Sequence, residues 1–348
     1  MIVKSVKRSR IESVDFDNLS FGSTFSDHMF VCDYANGKWG EPQIIPYAPI
    51  QLDPSASALH YGQAVFEGMK AYKDDQNDVW LFRPDQNIKR LNKSAERLAI
   101  PQFSEELFLK GLSRLIDLDR NWVQSGLGNS LYVRPFMFAS EACVQASPSR
   151  EYRIMIICTP VSSYYNDNQV RVKIADHYSR APQGGTGYAK AAGNYAGQFY
   201  PTQLALEEGY QQIIWTDAAT HQYIEEAGTM NLFFRIGDTL ITAPTSDSIL
   251  DGITRKSIIQ LAKDRGLQVE TRQLAVSELI EAAKNNMLKE IFGSGTAVVV
   301  LPIHGFGYKG DEYQLPINDD SVAQMLKSDL TSIQYNQSPD PHGWRVKV

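Results

Sequence analysis

The chain has few cysteines, no excess of positive charge and no long apolar run. Cys32, Cys143 and Cys158 are widely spaced and form no CxxC pair, which indicates reduced thiols and a cytoplasmic setting. With 34 Lys and Arg against 40 Asp and Glu, the net charge of −6 argues against a nucleic-acid partner. No apolar segment reaches membrane-spanning length, and no apolar segment typical of a secretion signal follows the basic start. We therefore expect a cytoplasmic protein with no membrane partner.

Two common kinds of ligand site are also missing from the sequence. The six histidines show no i, i+4 pair or other ligand spacing, so we expect no metal site. The segment from Gly184 to Lys190 is rich in glycine and ends in lysine. However, Ala189 precedes the lysine and Ala191 follows it, whereas a P-loop requires Gly-Lys-Ser/Thr.

The length and composition indicate two domains. A chain of 348 residues exceeds one ordinary core, and 43% hydrophobic residues suffice to fill two. A polar, turn-rich stretch begins at Ser162, after the apolar run Arg153 to Val161. We predict an α+β fold with domains at 1–162 and 176–348, joined by a linker loop at 163–175.

Periodic apolar patterns predict the main helices and strands. Helices are expected to begin at the capping residues Asp85 and Ser104, near Gly252, and at Ser277. Runs of apolar and β-branched residues predict strands at 79–82, 153–161, 212–216, 231–236 and 239–243, and a pair of strands joined at the glycine turn 293–296.

Lys190 has the most informative surroundings in the chain. Glycines, alanines and two tyrosines surround this amine between Gly184 and Gly197, with no other charged residue. A lysine that loses part of its hydration has a lowered pKa and can attack a carbonyl as a nucleophile. The pattern predicts Schiff-base chemistry with an aldehyde cofactor of the pyridoxal phosphate type.

Such a cofactor requires a carboxylate at its ring nitrogen and donors for its phosphate. Glu226, which precedes a small-residue turn, is the candidate carboxylate, although solvated loop charges would also explain Glu225 and Glu226. The helix expected near Gly252 offers first-turn amides and the hydroxyl of Thr254 to an anion, but an ordinary helix capped by Asp251 fits the same residues.

Two further groups complete the candidate site. Arg83 follows a predicted strand, and its guanidinium is a possible phosphate ligand. Tyr132 and Arg134 are two residues apart on a strand and therefore share one face. This pair suits a substrate carboxylate, although a structural ion pair at Arg134 would satisfy the pattern as well.

Taken in order, these segments resemble one family: the fold type IV pyridoxal phosphate enzymes, and among them the longer form of the branched-chain amino acid aminotransferases. The resemblance rests on seven segments in the same order. They are 21–29, 59–72, 81–84, 131–135, 184–197, 223–231 and 293–297. The resemblance implies a smaller α/β domain and a larger, β-barrel-like domain with flanking helices, with the cofactor between them, in a homodimer.

The resemblance also implies a role for each matching residue. Lys190 would be the catalytic residue that binds pyridoxal 5′-phosphate and transfers the substrate proton. The other cofactor ligands would be Arg83, Tyr195, Glu226, Ile253, Thr254 and Thr296. The residues that contact the substrate would be Phe25, Tyr61, Phe66, Tyr132, Arg134, Thr296 and Ala297.

The implied reaction exchanges an amino group between L-leucine, L-isoleucine or L-valine and 2-oxoglutarate, which yields branched-chain 2-oxo acids and L-glutamate. The resemblance implies a place in branched-chain amino acid biosynthesis, although the sequence does not distinguish synthesis from breakdown. D-amino acid aminotransferase and aminodeoxychorismate lyase share the fold and are the alternatives. Tyr132-Val133-Arg134-Pro135 favours the branched-chain group.

Overall fold

A computed structural model describes residues 1–162, 169–316 and 320–348. Its strands, in chain order, are β1 (Ile2–Val3), β2 (His28–Ala35), β3 (Lys38–Trp39), β4 (Gln43–Pro46), β5 (Ala64–Phe66), β6 (Met69–Lys73), β7 (Val79–Phe82), β8 (Ser130–Ala139), β9 (Tyr152–Val161), β10 (Arg171–Ile174), β11 (Gln212–Thr216), β12 (Ile224–Ala227), β13 (Asn231–Ile236), β14 (Thr239–Thr242), β15 (Gln268–Thr271), β16 (Leu288–Gly295), β17 (Val299–Ile303), β18 (Gly305–Tyr308), β19 (Asp311–Gln314) and β20 (Arg345–Lys347).

The helices lie between these strands. They are α1 (Ser57–Tyr61), α2 (Pro84–Arg97), α3 (Glu105–Leu118), α4 (Ala192–Ala196), α5 (Phe199–Glu207), α6 (Ile253–Asp264), α7 (Val276–Lys284) and α8 (Val322–Gln334). Among the described residues, none of the helices combines the length and the apolar character needed to cross a membrane.

The chain divides into two compact units that are not continuous in sequence. The first contains residues 1–162 together with Ala189–Ala192 and Ser332–Val348, and it holds more than half of the chain. The second contains residues from 169–188 and 193–331. The prediction of a smaller domain at 1–162 and a larger one at 176–348 therefore differs from the structure, because Lys190 and the C-terminal segment pack with the first unit.

The first unit is built on one large sheet with helices against it. The strand order is β1-β4-β2-β9-β8-β6-β7-β20, and β3 and β5 pair with β2 and β8. The predicted strand at 153–161 is confirmed as β9, which lies between β2 and β8. Its apolar run follows from this central position, since both of its faces carry buried side chains.

Two helices cover this sheet, and their capping was predicted correctly in one case only. Ser104 accepts a hydrogen bond from the amide of Leu107 at 3.3 Å and caps α3. Asp85 does not cap α2, which begins one residue earlier at Pro84. Proline suits the first helical position because its missing N–H would have no helical partner there.

The second unit contains two five-stranded sheets with α5, α6 and α7. Their strand orders are β12-β11-β10-β18-β19 and β15-β14-β13-β16-β17. Within the described residues these sheets do not close, so the barrel-like part of the prediction corresponds to two mixed sheets. A shared apolar core includes Ile214, Phe234 and Ile291.

Two boundary predictions in this unit were wrong. Part of the predicted linker, 163–168, lies outside the described residues, but Arg171–Ile174 within it forms strand β10. The segment alternates between buried and partly exposed residues, as a strand with one face toward a core does. Val172 and Ile174 are buried, while Lys173 is partly exposed. Helix α7 begins at Val276 rather than after a cap at Ser277.

Candidate active site

Lys190 is held on both sides by backbone contacts in the first unit. Its amide donates to the hydroxyl of Ser94 at 2.9 Å, and its carbonyl accepts from the amide of Phe66 at 3.0 Å. Next to it, Ala191 pairs with Val65 as an isolated β-bridge. The amine lies 4.8 Å from the centre of the Phe66 ring. These contacts place the half-buried amine against an aromatic face.

Glu67, which the sequence analysis missed, anchors the segment that carries Phe66. Its fully buried carboxylate accepts hydrogen bonds from Asn87 at 2.8 Å, from Arg90 at 2.6 and 2.9 Å, and from the amide of Gly68 at 3.1 Å. Burial acts to raise the pKa of Glu67, but the charge and hydrogen bonds of Arg90 hold this pKa below its ordinary value. The sequence did contain a signal for Glu67, because it is an acidic residue within the largely apolar segment 64–72. Acidic residues are rarely buried unless they are paired.

Tyr132 and Arg134 share one face of β8, as predicted. A guanidinium nitrogen of Arg134 donates to the Tyr132 hydroxyl at 3.1 Å, and the guanidinium lies 4.7 Å from the Phe66 ring centre. Gly68 makes room for this pair, because a Cβ at residue 68 would overlap the Tyr132 hydroxyl. The Nε of Arg134 is buried without a hydrogen-bond partner among the described residues. The strand thus presents a cation backed by aromatic rings.

Three other predicted site residues belong to the first unit, namely Arg83, Phe25 and Tyr61. Arg83 occupies the N-cap position of α2, and its guanidinium lies 5.2 Å from the ring centre of Trp344. Phe25 stacks on Tyr47 with ring centres 4.8 Å apart. Tyr61, the last residue of α1, is 47% exposed. The roles of Phe25 and Tyr61 as walls of a substrate pocket stay predictions.

Glu226 is a buried residue of strand β12 and not a solvated loop charge. Its carboxylate accepts hydrogen bonds from Arg180 at 2.8 Å, from the Asn231 side-chain amide at 2.9 Å and from the amide of Leu250 at 3.3 Å. Its neighbour Glu225 contacts a different partner, the hydroxyl of Ser248, and burial raises the pKa of Glu225. Arg180 thus donates a hydrogen bond directly to the carboxylate of Glu226, which stabilises its negative charge.

Arg180, also missed by the sequence analysis, connects Glu226 to the glycine-rich loop. Its guanidinium donates both to Glu226 and, at 2.8 Å, to the carbonyl of Gly187. The loop needs glycine at residue 187, since a Cβ there would lie 2.5 Å from the Cα of Ser248. In the sequence, Arg180 stands just before the glycine-rich loop, which could have marked it as a site residue. Its partner Glu226 could not be predicted, because it is 46 residues away in sequence.

Helix α6 begins at Ile253, directly after a glycine that has no side chain to cap it. Its N-cap residue is Gly252, without a side-chain cap hydrogen bond. The carboxylate of Asp251, the alternative cap, pairs with Lys256 at 2.7 Å. Ile253 and Thr254 form the start of the helix and are buried. A helix start of this kind favours an anion, through its N–H groups and the helix dipole.

Gly252 packs closely against Asn231, which donates to Glu226, so the helix start and the carboxylate are connected through Asn231. Replacement of Gly252 by alanine tests this connection. A Cβ at residue 252 would overlap the side-chain oxygen of Asn231, whose amide group donates to Glu226. We expect Gly252→Ala to lower the free energy of unfolding by about 1–3 kcal/mol through overpacking. Urea denaturation measures this change, and Gly40→Ala is the control, because its Cβ would meet only an ordinary contact at 3.4 Å. Equal stability of both variants would contradict the link.

The glycine turn in the second unit lies later in the sequence than predicted. Strand β16 continues through Gly295, which pairs with Val299 of β17, so Thr296 and Ala297 lie in the connecting turn. Pairing of the two strands is confirmed, and only the turn position was wrong. Tyr195 lies in the short helix α4.

The matching residues thus form two groups, each within one unit. Lys190, Phe66, Tyr132 and Arg134 form the first. Glu226 and the start of α6 form the second, where Asn231 connects them by donating to the carboxylate and to the carbonyl of Leu250.

The sequence profile of a known family covers both groups. The profile of the amino-transferase class IV family matches residues 64–306, which is well over half of the chain. The chain belongs to this family. Fold type IV, expected from the sequence resemblance, is therefore confirmed, and the mixed α/β structure with several sheets agrees with it.

Individual members of the family are similar along nearly their whole length. Branched-chain-amino-acid aminotransferase 2 of Bacillus subtilis (strain 168) is 45% identical over 340 residues, covering 96% of this chain and 93% of that protein. The branched-chain amino acid aminotransferase of Escherichia coli has a similar structure, with a TM-score of 0.70, 25% identity and coverage of 92% and 98%. A further solved structure, the T.th. branched-chain amino acid aminotransferase with pyridoxamine 5′-phosphate, gives a TM-score of 0.71 at 26% identity, covering 90% and 97%.

Proposed function

We propose that this protein transfers amino groups between L-leucine, L-isoleucine or L-valine and 2-oxoglutarate, yielding branched-chain 2-oxo acids and L-glutamate. The observation that carries the proposal is the 45% identity to a branched-chain aminotransferase over 96% of the chain. The two groups of residues described above support it, because each suits one part of transamination chemistry.

The residues present fit pyridoxal 5′-phosphate. The start of α6, where the N-cap Gly252 provides no side-chain cap, suits the phosphate, and the buried carboxylate of Glu226 suits a protonated ring nitrogen. When bound, the cofactor supplies an aldehyde for the amino group and a ring that accepts electrons. We assign its binding to Lys190, Glu226, Arg83, Tyr195, Ile253, Thr254 and Thr296.

Lys190 is the group that moves the proton. The amine of Lys190 would take the α-proton of the substrate and deliver a proton to the aldehyde carbon of the bound cofactor, which receives the amino group. The hydrogen bonds to Ser94 and Phe66 hold the backbone of Lys190, so the side chain that carries the amine starts from a fixed position. Glu226 would hold a proton at the ring nitrogen of the cofactor, and Arg180 and Asn231 keep that carboxylate in place.

Arg134 and Tyr132 allow one site to accept both an aliphatic and an acidic side chain. The guanidinium of Arg134 lies against the rings of Phe66 and Tyr132, at 4.7 and 5.3 Å from their centres. Such a cation is attracted to the ring faces and leaves apolar edges for an aliphatic group. It still attracts a carboxylate when glutamate or 2-oxoglutarate binds.

Steady-state assays with 2-oxoglutarate as amino acceptor test the substrate. We expect L-leucine, L-isoleucine and L-valine to form glutamate, with kcat/KM at least about a hundredfold above that of D-alanine, a ratio within reach of a shaped pocket. Turnover of D-alanine alone would favour D-amino acid aminotransferase, and turnover of aminodeoxychorismate would favour the lyase. Either result would overturn the proposal.

We also propose a cytoplasmic homodimer. Light scattering after size exclusion distinguishes a dimer from the 39.1 kDa monomer.

A further inference from the structure

The C-terminal strand lies beside the strand that leads to Arg83. β20 pairs antiparallel with β7, so that Arg345 faces Phe82 and Lys347 faces Trp80. Val348 extends the pairing, since its amide donates to the carbonyl of Val79 at 2.9 Å. The tail, which the sequence left without a role, is thus an ordered edge of the large sheet.

The tail fixes the backbone of Arg83 in a conformation that arginine rarely adopts. Arg83 has φ of +50° and ψ of 44°, in the left-handed region, and it precedes Pro84, which restricts it further. Its amide donates to the carbonyl of Trp344 at 2.8 Å. A non-glycine residue stays in this region only when its surroundings impose it, and the Trp344 carbonyl is such a constraint.

The side chain of Trp344 acts on the same arginine. Trp344 is 9% exposed, and its ring centre lies 5.2 Å from the guanidinium carbon of Arg83. Phe82 meets the ring edge to face at 5.7 Å, and His342 stacks on it at 4.6 Å. A ring held by two aromatic neighbours is a rigid platform for a cation.

We propose that Trp344 is a positioning residue, which holds the guanidinium of Arg83 ready to bind the phosphate group of the cofactor. This inference rests on the proposed function, in which Arg83 binds that phosphate. Arginine has a long and flexible side chain, so a site that orders it in advance binds its anion more tightly. Backbone and ring of Trp344 provide this order together.

The test compares two ligands that differ only in the phosphate. Apoprotein is titrated with pyridoxal 5′-phosphate and with pyridoxal, and each Kd is read from absorbance. We expect Trp344→Leu to raise the Kd of pyridoxal 5′-phosphate about tenfold, as expected for loss of a cation–π contact and of side-chain ordering. The Kd of pyridoxal should stay within about twofold, since pyridoxal lacks the group that Arg83 binds.

Matched variants separate this effect from a general structural defect. Trp80→Leu removes a ring that lies 5.5 Å from Arg345 and 5.7 Å from Lys347 of the same tail, so it should change neither Kd. Trp344→Phe keeps an aromatic face and should restore most of the affinity. Trp344→Met provides a second ring-free variant should Trp344→Leu fold poorly. An equal rise of both Kd values in the ring-free variants, or none, would overturn the inference.

A double variant distinguishes failure of the inference from failure of the proposed function. Arg83→Leu should itself weaken pyridoxal 5′-phosphate selectively, and adding Trp344→Leu should cause little further loss, because both act through one guanidinium. A selective effect of Arg83→Leu without one of Trp344→Leu would overturn the inference alone. Absence of any effect of Arg83→Leu would overturn both the phosphate role of Arg83 and the inference.

Discussion

Lys190→Ala is expected to lower kcat/KM for L-leucine by about four orders of magnitude or more, because one amine both binds the cofactor covalently and transfers the proton. Borohydride reduction of the purified holoprotein, followed by peptide mass spectrometry, should place the cofactor on the peptide that contains Lys190. The variant should yield no such modified peptide.

Lys110→Ala is a suitable control for this experiment. Lys110 pairs with Glu106 on the exposed face of α3, where the two side chains are 67% and 74% exposed. We expect its loss to leave activity and the labelled peptide unchanged, since exposed pairs contribute little. A reduced cofactor on any lysine other than Lys190 would contradict the assignment of the catalytic residue.

Replacement of Glu226 is expected to cause the second largest effect. Both side chains of the Arg180–Glu226 pair are almost fully buried, at 6% and 5% exposure. Glu226→Ala leaves the guanidinium buried without its partner, which should lower the free energy of unfolding by about 3–5 kcal/mol. Urea denaturation of the apoprotein measures this loss without any contribution from the cofactor.

Glu226→Gln separates the charge of this residue from its shape. The amide fills the same space but cannot hold a proton at the cofactor nitrogen, so we expect kcat to fall by about a hundredfold or more while the fold persists. Glu106→Gln, at an exposed pair, is the control and should change neither quantity. If Glu226→Gln kept the full kcat, the carboxylate would serve structure alone.

Local patterns were sufficient for most of the regular elements. The strands 79–82, 212–216 and 231–236 were predicted with the bounds that the structure shows, because short apolar and β-branched runs end at clear turn residues. Helix starts were less certain. Asp85 and Ser277 are good capping residues, yet each lies inside the first turn of its helix, because α2 begins at Pro84 and α7 at Val276.

Ion pairs between residues that are distant in sequence could not be predicted from local sequence patterns. Glu67 meets Arg90 across 23 residues, and Arg180 meets Glu226 across 46. Each is one acidic or basic residue among many in the sequence, and only folding shows that it is buried. The same reason applies to Trp344, whose contact with Arg83 depends on the pairing of the last strand with β7.

The sequence by itself determined the chemistry that is available: one lysine in a loop without other charges, a glutamate before a small-residue turn, and a helix that begins near a glycine. These properties are local, because they depend on neighbouring residue types and on backbone freedom. The tertiary structure alone decided which charges are paired, which unit carries Lys190, and how Arg83 is held. Such features depend on burial and on contacts across tens or hundreds of residues, where the cost of leaving a charge unpaired selects the partner.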